Sequence, residues 1–272
     1  MSAHVGDYLV SPPGSPVMKR TDQYWLRLLA SGLCYVVFGL VAIILGILVL
    51  PVIRVFSRDA ARGRLRARAL VGGGLRLFAG LTRAMGVLRY QFPDRERLGR
   101  PGQLIVANHP TLIDVVFLLG FTPAANCVVK AGVFSNPITR GAVRAAGYIP
   151  NAPAEEMIHG SEAALARGET LLIFPEGTRT VPGQPLALQR GAANVALRAA
   201  RALTPVFISC DPPMLSKNQP WYRIPPRRPT VTLRVGDDVN LETYRGTALP
   251  QASRRLNADL AGLFGGPTAV RN

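Results

Sequence analysis

The longest apolar stretch in the chain is an uncharged run from Leu28 to Ile53, LLASGLCYVVFGLVAIILGILVLPVI. At about 1.5 Å per residue, a helix of this length crosses a hydrocarbon core of about 30 Å. A cleaved signal peptide is the alternative, but the run is longer than an apolar region of roughly 7–15 residues, and no small-residue cleavage pattern follows it. The pattern therefore predicts an N-terminal membrane helix.

The two flanks of this apolar run differ in pattern and in charge. Residues 1–25 contain Pro12, Pro13 and Pro16 without an apolar period, which predicts a disordered leader. The segment from 54 to 68 carries six arginines against a single aspartate. By the positive-inside bias, the part of the chain that follows the helix is predicted to be cytoplasmic.

Apolar positions between residues 60 and 90 recur at helical spacing, with arginines between them. This pattern predicts a basic amphipathic helix that can lie on anionic lipid headgroups. Its apolar positions are Leu70, Leu77, Phe78, Leu81, Met85 and Leu88. Together with the membrane helix it forms a predicted N-terminal region at residues 26–90.

Glycines recur every seven residues in both predicted helices. They are Gly32, Gly39 and Gly46 in the first helix, and Gly73 and Gly80 in the second. Small residues at this spacing let two helix backbones pack closely. A helical hairpin that dips into one leaflet is therefore an alternative to a full crossing of the membrane.

After residue 100 the pattern changes to short apolar segments that alternate with helical ones. The strand-like segments are QLIVAN, NCVVK, ETLLIF, TPVFIS and TVTLRV, and the helical ones include ITRGAVRAAG and RGAANVALRAARAL. A terminal helix is predicted around Gln251 to Phe264. This alternation predicts an α/β fold, a mixed sheet flanked by helices, over residues 91–272.

The net positive charge limits the classes of molecule that the protein is expected to bind. The net charge is +16, and 29 of the 32 basic residues are arginines, whose forked guanidinium suits phosphates and carboxylates. Such charge favours an anionic membrane surface, a phosphate-bearing substrate or an acidic carrier protein. No RRM, zinc or helix-turn-helix signature accompanies it, so no nucleic-acid partner is predicted.

Cysteine and histidine are both too scarce to suggest a disulfide framework or a metal site. The three cysteines, Cys34, Cys127 and Cys210, are isolated in apolar runs, which favours a reducing compartment. No arrangement such as HExxH places two metal ligands together. We therefore predict no catalytic metal.

A histidine and an aspartate follow the segment QLIVA, in the sequence NHPTLID from Asn108 to Asp114. In a continuous helix of roughly 3.6 residues per turn, five residues would separate the two side chains by about 140°. Pro110 disfavours helical backbone at His109 and suits the first helical position, so His109 can fold back over Asp114. The carboxylate can then hold one ring nitrogen and leave the other as a general base. The alternative is a plain helix start stabilised by an aspartate.

A second polar cluster, FPEGTRT from Phe174 to Thr180, follows the apolar segment ETLLIF. Gly177 permits a tight turn with exposed backbone N–H groups, and Arg179 offers a fork for a phosphate or carboxylate. Glu176 can accept a hydrogen bond from a hydroxyl-bearing substrate. An ordinary turn with an exposed Glu–Arg ion pair is the alternative.

These segments resemble the motifs of a known family. NHPTLID and FPEGTRT, in this order and about 65 residues apart, are similar to the first and third motifs of the lysophospholipid acyltransferases, the group that contains 1-acylglycerol-3-phosphate acyltransferases. The resemblance covers roughly residues 70 to 235. It also includes these residues: Lys130, Pro137, Gly141, the stretch from Gly147 to Pro150, Arg190-Gly191 and Thr204-Pro205-Val206.

The resemblance implies that residues 91–272 form an acyltransferase catalytic domain. His109 would deprotonate the acceptor hydroxyl, Asp114 would orient the histidine, and a coenzyme A or acyl carrier protein thioester would donate the acyl group, with no further cofactor. Substrate-binding residues are predicted to be Asn108, Lys130, Glu176, Gly177, Thr178, Arg179 and Arg190. The predicted location is a bacterial-type inner (cytoplasmic) membrane, with the catalytic domain on the cytoplasmic face. A hydrolase is disfavoured because no GxSxG nucleophile elbow occurs.

One departure from the family pattern leaves the acceptor open. Where family members often have an arginine associated with the glycerol phosphate, this chain has Asn151-Ala152-Pro153. Arg140, Arg144 or Arg190 could substitute for the missing contact. Alternatively, the acceptor is a hydroxylated lipid other than a glycerophosphate. A non-catalytic basic membrane-binding protein is the remaining hypothesis.

Overall fold

A computed structural model describes residues 23–49, 52, 56–57, 59–137, 139–181, 184 and 186–266. Most of the predicted leader, and Arg54 and Arg58 of the basic segment, lie outside these residues. The first helix begins at Tyr24, close to the predicted end of the leader at residue 25. Gln23, its N-cap residue, has a left-handed backbone conformation with φ 44°.

Seven α-helices and seven strands are present in the described part of the chain. The helices are α1 Tyr24–Ile44, continued by a π-helical turn Leu45–Val49, α2 Ala60–Ala84, α3 Asp114–Phe121, α4 Arg140–Ala146, α5 Ala154–Ala166, α6 Gly191–Ala199 and α7 Leu249–Gly265. The strands are β1 Arg89–Gln91, β2 Gln103–Ala107, β3 Asn126–Val129, β4 Ile149–Pro150, β5 Leu171–Ile173, β6 Ala202–Asp211 and β7 Thr230–Val235. Short 3-10 helices lie at Arg95–Arg97, Ala131–Val133 and Leu241–Tyr244.

The strands form one mixed sheet in the order β1-β7-β6-β2-β5-β3-β4. Neighbours are parallel except for β6 and β7, which pair antiparallel. The prediction of a mixed sheet flanked by helices is confirmed. The five predicted strands are present, whereas β1 and β4 had no separate apolar segment to indicate them.

Helices cover both faces of the sheet because side chains alternate along each strand. On β2, Ile105 points to one apolar core together with residues of α2, α3 and α4. Leu104 and Val106 point to the other core together with residues of α5, α6 and α7. The result is a three-layer α/β/α arrangement.

The basic amphipathic helix is present as α2, and the face that it packs on the domain consists mainly of small residues outside the predicted apolar positions. Its buried residues are Gly63, Ala67, Arg68, Gly72, Ala79 and Thr82. Leu77 is exposed, and the helix ends before Met85 and Leu88. Small side chains bring α2 against α3 and α4.

Close helix contacts do not follow the predicted seven-residue repeat of glycines. A Cβ atom built on Gly32, Gly39, Gly73 or Gly80 would meet no described atom within 4 Å. The tight approaches lie at Gly72, outside the repeat, and at Gly46, the last repeat glycine of the first helix. A Cβ on Gly72 would stand 2.8 Å from the carbonyl oxygen of Leu119 in α3, and one on Gly141 in α4 would stand 2.6 Å from that of Gly46.

A buried ion pair fastens α2 to the sheet. The guanidinium of Arg68 donates to Glu169 Oε2 at 2.7 Å and to the carbonyl oxygen of Ala146 at 2.7 Å. Asn126 at the start of β3 donates to the same Glu169 oxygen at 2.9 Å. Removing either charge would leave the other buried without its partner, which typically costs about 3–5 kcal/mol.

Helix α1 is the one helix among the described residues that is long and apolar enough to cross a membrane, over Tyr24–Ile47. Most of its large apolar side chains face outward. Its inner side contacts α2 through Phe38 and Phe78, whose ring centroids lie 4.8 Å apart. The helix is therefore packed along the domain on one side and leaves an apolar face on the other.

The contact at Gly72 predicts a sharp difference between two adjacent glycines of α2. Gly72→Ala places a methyl group against the Leu119 carbonyl and should destabilise the protein by about 1–3 kcal/mol through overpacking. Gly73→Ala has free space and should instead stabilise it by about 0.5–1 kcal/mol, because alanine is the better helix former. Thermal unfolding of both full-length variants in detergent tests this. Equal melting temperatures would contradict the close approach.

Candidate active site

Strands β2 and β5 bring the two polar motifs to the same edge of the sheet. The strands pair in parallel, with Val106 opposite Ile173, so both end at this edge. Carboxyl ends of parallel strands are where α/β proteins place their ligands. Beyond the strand ends the backbone N–H of Thr180 donates to the carbonyl oxygen of His109 at 2.8 Å. The two motifs form one structural unit.

His109 and Asp114 are in contact. The ring Nδ1 lies 2.9 Å from Asp114 Oδ2. Helix α3 begins at Asp114 and not at Pro110, where the sequence had predicted the first helical residue. Residues 110–113 form a turn instead, because the side chain of Asp114 bonds back to Thr111 across it.

The Asp114 side chain has no exposed surface, and its remaining bonds come from Thr111. The backbone N–H of Thr111 donates to Oδ2 at 2.8 Å, and its hydroxyl donates to Oδ1 at 2.5 Å. Burial raises the pKa of the Asp114 carboxyl, while the hydrogen bonds from His109 and Thr111 act against this rise. A carboxylate here accepts a hydrogen bond from Nδ1–H, which leaves Nε2 of the neutral ring without a proton.

The ring of His109 stacks on Phe174, with centroids 4.2 Å apart and planes 23° apart. Both rings lie on the wall of a cavity of about 690 Å³. The ring is thus oriented by a carboxylate at one nitrogen and by a flat aromatic face. Packing of this kind fixes the side chain in a single orientation.

The cavity lies between the sheet edge and the helices α1, α2, α3 and α4, and its wall is mainly apolar. Apolar residues on the wall include Phe38, Val41, Leu45, Leu75, Phe78, Val115, Leu119, Val133, Ala142 and Tyr148. The polar residues on the wall are His109, Lys130, Thr139, Asn151, Thr178 and Arg179. An apolar space with a few polar groups suits a ligand that has a long hydrocarbon part.

Two of the predicted substrate-binding residues, Glu176 and Asn108, bond to the backbone around the site. Glu176 is 8% exposed, and its Oε1 accepts from His109 N at 2.9 Å and from the Thr180 hydroxyl at 2.7 Å. Asn108 donates to the carbonyl oxygen of Ile208 and accepts from its N–H, at 2.8 and 2.7 Å. Neither lies on the cavity wall, because Glu176 bonds to the neighbouring loop and Asn108 bonds to β6.

Of the other predicted substrate-binding residues, four lie on the cavity wall and one, Arg190, lies outside it. Lys130, Gly177, Thr178 and Arg179 line the cavity, and Gly177 has φ +65°, the left-handed conformation expected of its turn. Arg179 donates through Nη1 to the carbonyl oxygens of Leu215 and Ser216 at 2.9 and 3.0 Å. Arg190 is exposed at the start of α6, outside the cavity wall, because α6 packs on the opposite face of the sheet.

Three residues of the site were not predicted from sequence. Thr111 and Thr180 donate their hydroxyls to Asp114 and Glu176, and Phe174 stacks on His109. A threonine three residues before an aspartate that starts a helix was the available signal for Thr111. Among the described residues, no three His, Cys, Asp or Glu side chains come together as a metal site.

Comparison with known proteins gives consistent matches. Residues 89–209 match the family model described as Acyltransferase. The 1-acyl-sn-glycerol-3-phosphate acyltransferase of Pseudomonas aeruginosa is 24% identical over 201 residues, which cover 72% of this chain and 76% of that protein. The chloroplastic 1-acyl-sn-glycerol-3-phosphate acyltransferase LPAT1 of Arabidopsis thaliana is 27% identical over 108 residues, which cover 38% of this chain and 30% of that protein.

A solved structure shares the fold. The crystal structure of the 1-acyl-sn-glycerophosphate (LPA) acyltransferase PlsC from Thermotoga maritima superimposes with a TM-score of 0.64 at 18% identity. The alignment covers 90% of this chain and 99% of that chain. The similarity therefore includes the N-terminal helices as well as the sheet.

The hydrogen bond at Nδ1 predicts the tautomer of His109. In the neutral ring the proton should sit on Nδ1, and Asp114→Asn should shift it toward Nε2, because the new amide can donate to Nδ1. Nitrogen-15 NMR of histidine-labelled protein measures this, since the chain has only three histidines. Exposed His159 serves as the internal control and should not change. An Nε2-protonated ring in the unmodified protein would contradict the assignment.

Proposed function

We propose that this chain is a PlsC-type acyltransferase, as its match to the Acyltransferase family model and its similarity to 1-acyl-sn-glycerol-3-phosphate acyltransferases support. In this role it moves a fatty acyl group from a thioester to the hydroxyl of 1-acylglycerol-3-phosphate at a membrane. The observation that carries the proposal is His109, which contacts a fully buried carboxylate and lines a large apolar cavity. That combination supplies a base beside space for a hydrocarbon chain.

The chemical step uses the two ring nitrogens differently. Asp114 holds Nδ1–H, so Nε2 takes the proton of the acceptor hydroxyl while that oxygen attacks the thioester carbonyl. A tetrahedral intermediate forms and collapses with cleavage of the carbon–sulfur bond. The thiolate of coenzyme A or acyl carrier protein leaves and takes the proton back from His109. Thr111 and Glu176 are positioning residues, since they act through the dyad and its backbone.

We assign the apolar cavity to the acyl chain. Burial of a methylene group contributes about 0.8 kcal/mol, so a long chain gains enough to be held in place. Phe174, which stacks on the histidine, continues this apolar wall to the reacting atoms. The chain and the base are therefore adjacent parts of one site.

The phosphate of the acceptor is assigned to Lys130 and Arg179, the basic residues on the cavity wall. Asn151, which stands near the place of the family arginine, has its side-chain oxygen engaged by the N–H of Ala131 at 3.1 Å. Arg140 and Arg144 are exposed outside the cavity wall. Lys130 and Arg179 are thus the better candidates to replace the missing contact.

We propose that α1 enters only one leaflet of a bacterial inner membrane, from the cytoplasmic side. Near its start, Arg27 is buried and donates to the carbonyl oxygens of Pro225 and Pro226 at 2.9 and 2.7 Å. At its other end, Gly46 touches Gly141. A helix held at both ends along the domain favours the hairpin over a full crossing. Its outward apolar face then meets lipid.

Replacement of the base tests the proposal. His109→Ala and Asp114→Asn should each reduce acyl transfer by about 10²–10⁴-fold, the usual contribution of a positioned base. Each variant is assayed with acyl-coenzyme A and with acyl carrier protein, and with lysophosphatidic acid beside hydroxylated lipids without phosphate. His159→Ala, at an exposed histidine, is the matched control and should keep full activity. Undiminished transfer by His109→Ala would remove the proposed base.

Filling the cavity should change the preferred chain length. Ala142 lies on the cavity wall, so Ala142→Trp should lower kcat/KM for chains of about 16 carbons more than for chains of about 10, because each excluded methylene forfeits about 0.8 kcal/mol. Ala131→Trp, at an exposed position outside the wall, is the control. Competition between donors of mixed length measures the ratio. An unchanged ratio would show that the chain lies elsewhere.

A further inference from the structure

The loop between β6 and β7, residues 212–229, exposes two large aromatic side chains. Trp221 is 50% exposed and Tyr222 is 58% exposed. Nearly all other exposed large apolar residues in the described chain fall between residues 25 and 77; Leu112 and Leu263 are the exceptions. The loop thus carries an apolar tip far in sequence from α1.

This loop is continuous with the apolar face of α1. The rings of Trp221 and Tyr35 meet edge to face, with centroids 5.2 Å apart. The buried guanidinium of Arg27 in α1 bonds to the loop carbonyls of Pro225, Pro226 and Arg227. The aromatic tip and α1 therefore present one apolar surface and not two separate patches.

The chemistry of the tip fits the headgroup region of a bilayer. Tryptophan and tyrosine are enriched at this depth, where one end of the ring is apolar and the other is wet. Lys217 and Arg223, on either side of the aromatic pair in the loop, are exposed. Cations beside interfacial aromatics are attracted by anionic lipids, each by about 1 kcal/mol.

The base of the same loop holds residues of the active site. The carbonyl oxygen of Leu215 accepts from the backbone N–H of Leu112 at 3.1 Å and from Arg179 at 2.9 Å. Arg179 also donates to Ser216. Leu112 lies in the turn between His109 and Asp114 and is 53% exposed on the cavity wall. A shift of the loop would therefore be transmitted by direct hydrogen bonds to the NHPTLID motif through Leu112 and to the FPEGTRT motif through Arg179.

We propose that the β6–β7 loop is a second membrane anchor, which inserts Trp221 and Tyr222 into the leaflet that receives α1. The inserted loop then positions Arg179 and the turn at Leu112 for reaction at the bilayer surface. Two points of contact, α1 and the loop, fix the orientation of the cavity relative to the membrane, whereas a single helix would leave it free to rotate. The effect of the loop on the rate of acyl transfer rests on the proposed function, whereas its insertion into the membrane is independent of that function.

The first experiment measures insertion without using activity. The chain contains two tryptophans, Trp25 and Trp221, so Trp25→Phe leaves Trp221 as the sole reporter and Trp221→Phe leaves Trp25. Both full-length variants are reconstituted into phosphatidylcholine–phosphatidylglycerol vesicles that contain lipids brominated at different depths. Emission of Trp221 should be quenched most by bromine near the headgroups, and Trp25 reports on α1 as the comparison.

Two results would overturn the anchor. Emission of Trp221 that is quenched by aqueous iodide and unaffected by brominated lipid would place the loop in water. Emission that loses its exposure to iodide only when acyl carrier protein is added would make the loop a protein-docking site instead. Neither outcome depends on catalysis, so both are distinguishable from a failure of the proposed acyl transfer, which the unmodified protein reveals directly.

The second experiment measures the consequence for rate. Trp221→Ala with Tyr222→Ala should lower kcat/KM on the order of tenfold for an acceptor embedded in vesicles, which corresponds to about 1.4 kcal/mol. Transfer to a short-chain, water-soluble acceptor in the absence of vesicles should stay within about twofold of that of the unmodified protein. Trp221→Phe with Tyr222→Phe, which keeps two aromatic rings, should restore part of the loss on vesicles. Leu263→Ser, at an exposed site outside the patch, is the control. Equal losses on both acceptors would overturn the coupling.

Discussion

A carboxylate without exposed surface has to find all its hydrogen bonds inside the protein, and Asp114 meets this requirement at the first residue of α3. Thr111 supplies two donors and His109 supplies the third. Because an unpaired charge at this depth costs several kcal/mol, the turn of residues 110–113 cannot open without that penalty. The same bonds that stabilise the turn therefore fix the histidine ring, so local stability and the geometry of the candidate base have one cause.

The pairing of β2 with β5 secures the histidine from its other side. Glu176 and Thr180, which follow β5, bond to the N–H and the carbonyl of His109. The backbone of the residue is thus held by one motif while its ring is held by the other. Glu176, which the sequence predicted to bind substrate, is buried because it accepts hydrogen bonds from the His109 N–H and the Thr180 hydroxyl. A site supported by two adjacent parallel strand ends is held more precisely than one built on loops alone.

The sequence predicted what depends on local pattern, and it missed what depends on neighbours brought together by folding. Alternation of strand-like and helical segments predicted the mixed sheet, and Pro110 indicated that His109 could reach Asp114, although the helix starts later than expected. The face that α2 packs on the domain was not indicated, because glycine and alanine carry little hydropathy, yet their small size brings α2 within reach of Leu119. Asn108 turns into the backbone of β6, a neighbour one hundred residues away that no local pattern indicates. Arg190 was assigned by motif, but α6 carries it to the other face of the sheet.

The cavity wall is shared between the apolar helix α1 and the domain that carries His109, and under the proposed function this arrangement bears on how a lipid substrate arrives. Phe38 and Val41 of α1 line the same apolar space as His109 and Phe174. A hydrocarbon chain that left the bilayer through water would lose about 0.8 kcal/mol for each exposed methylene. A chain that passes along α1 stays among apolar side chains throughout. Under the proposed function, the packing of α1 along the domain thus serves the transfer of lipid as well as attachment, and it explains why both ends of the helix are tied to the catalytic domain.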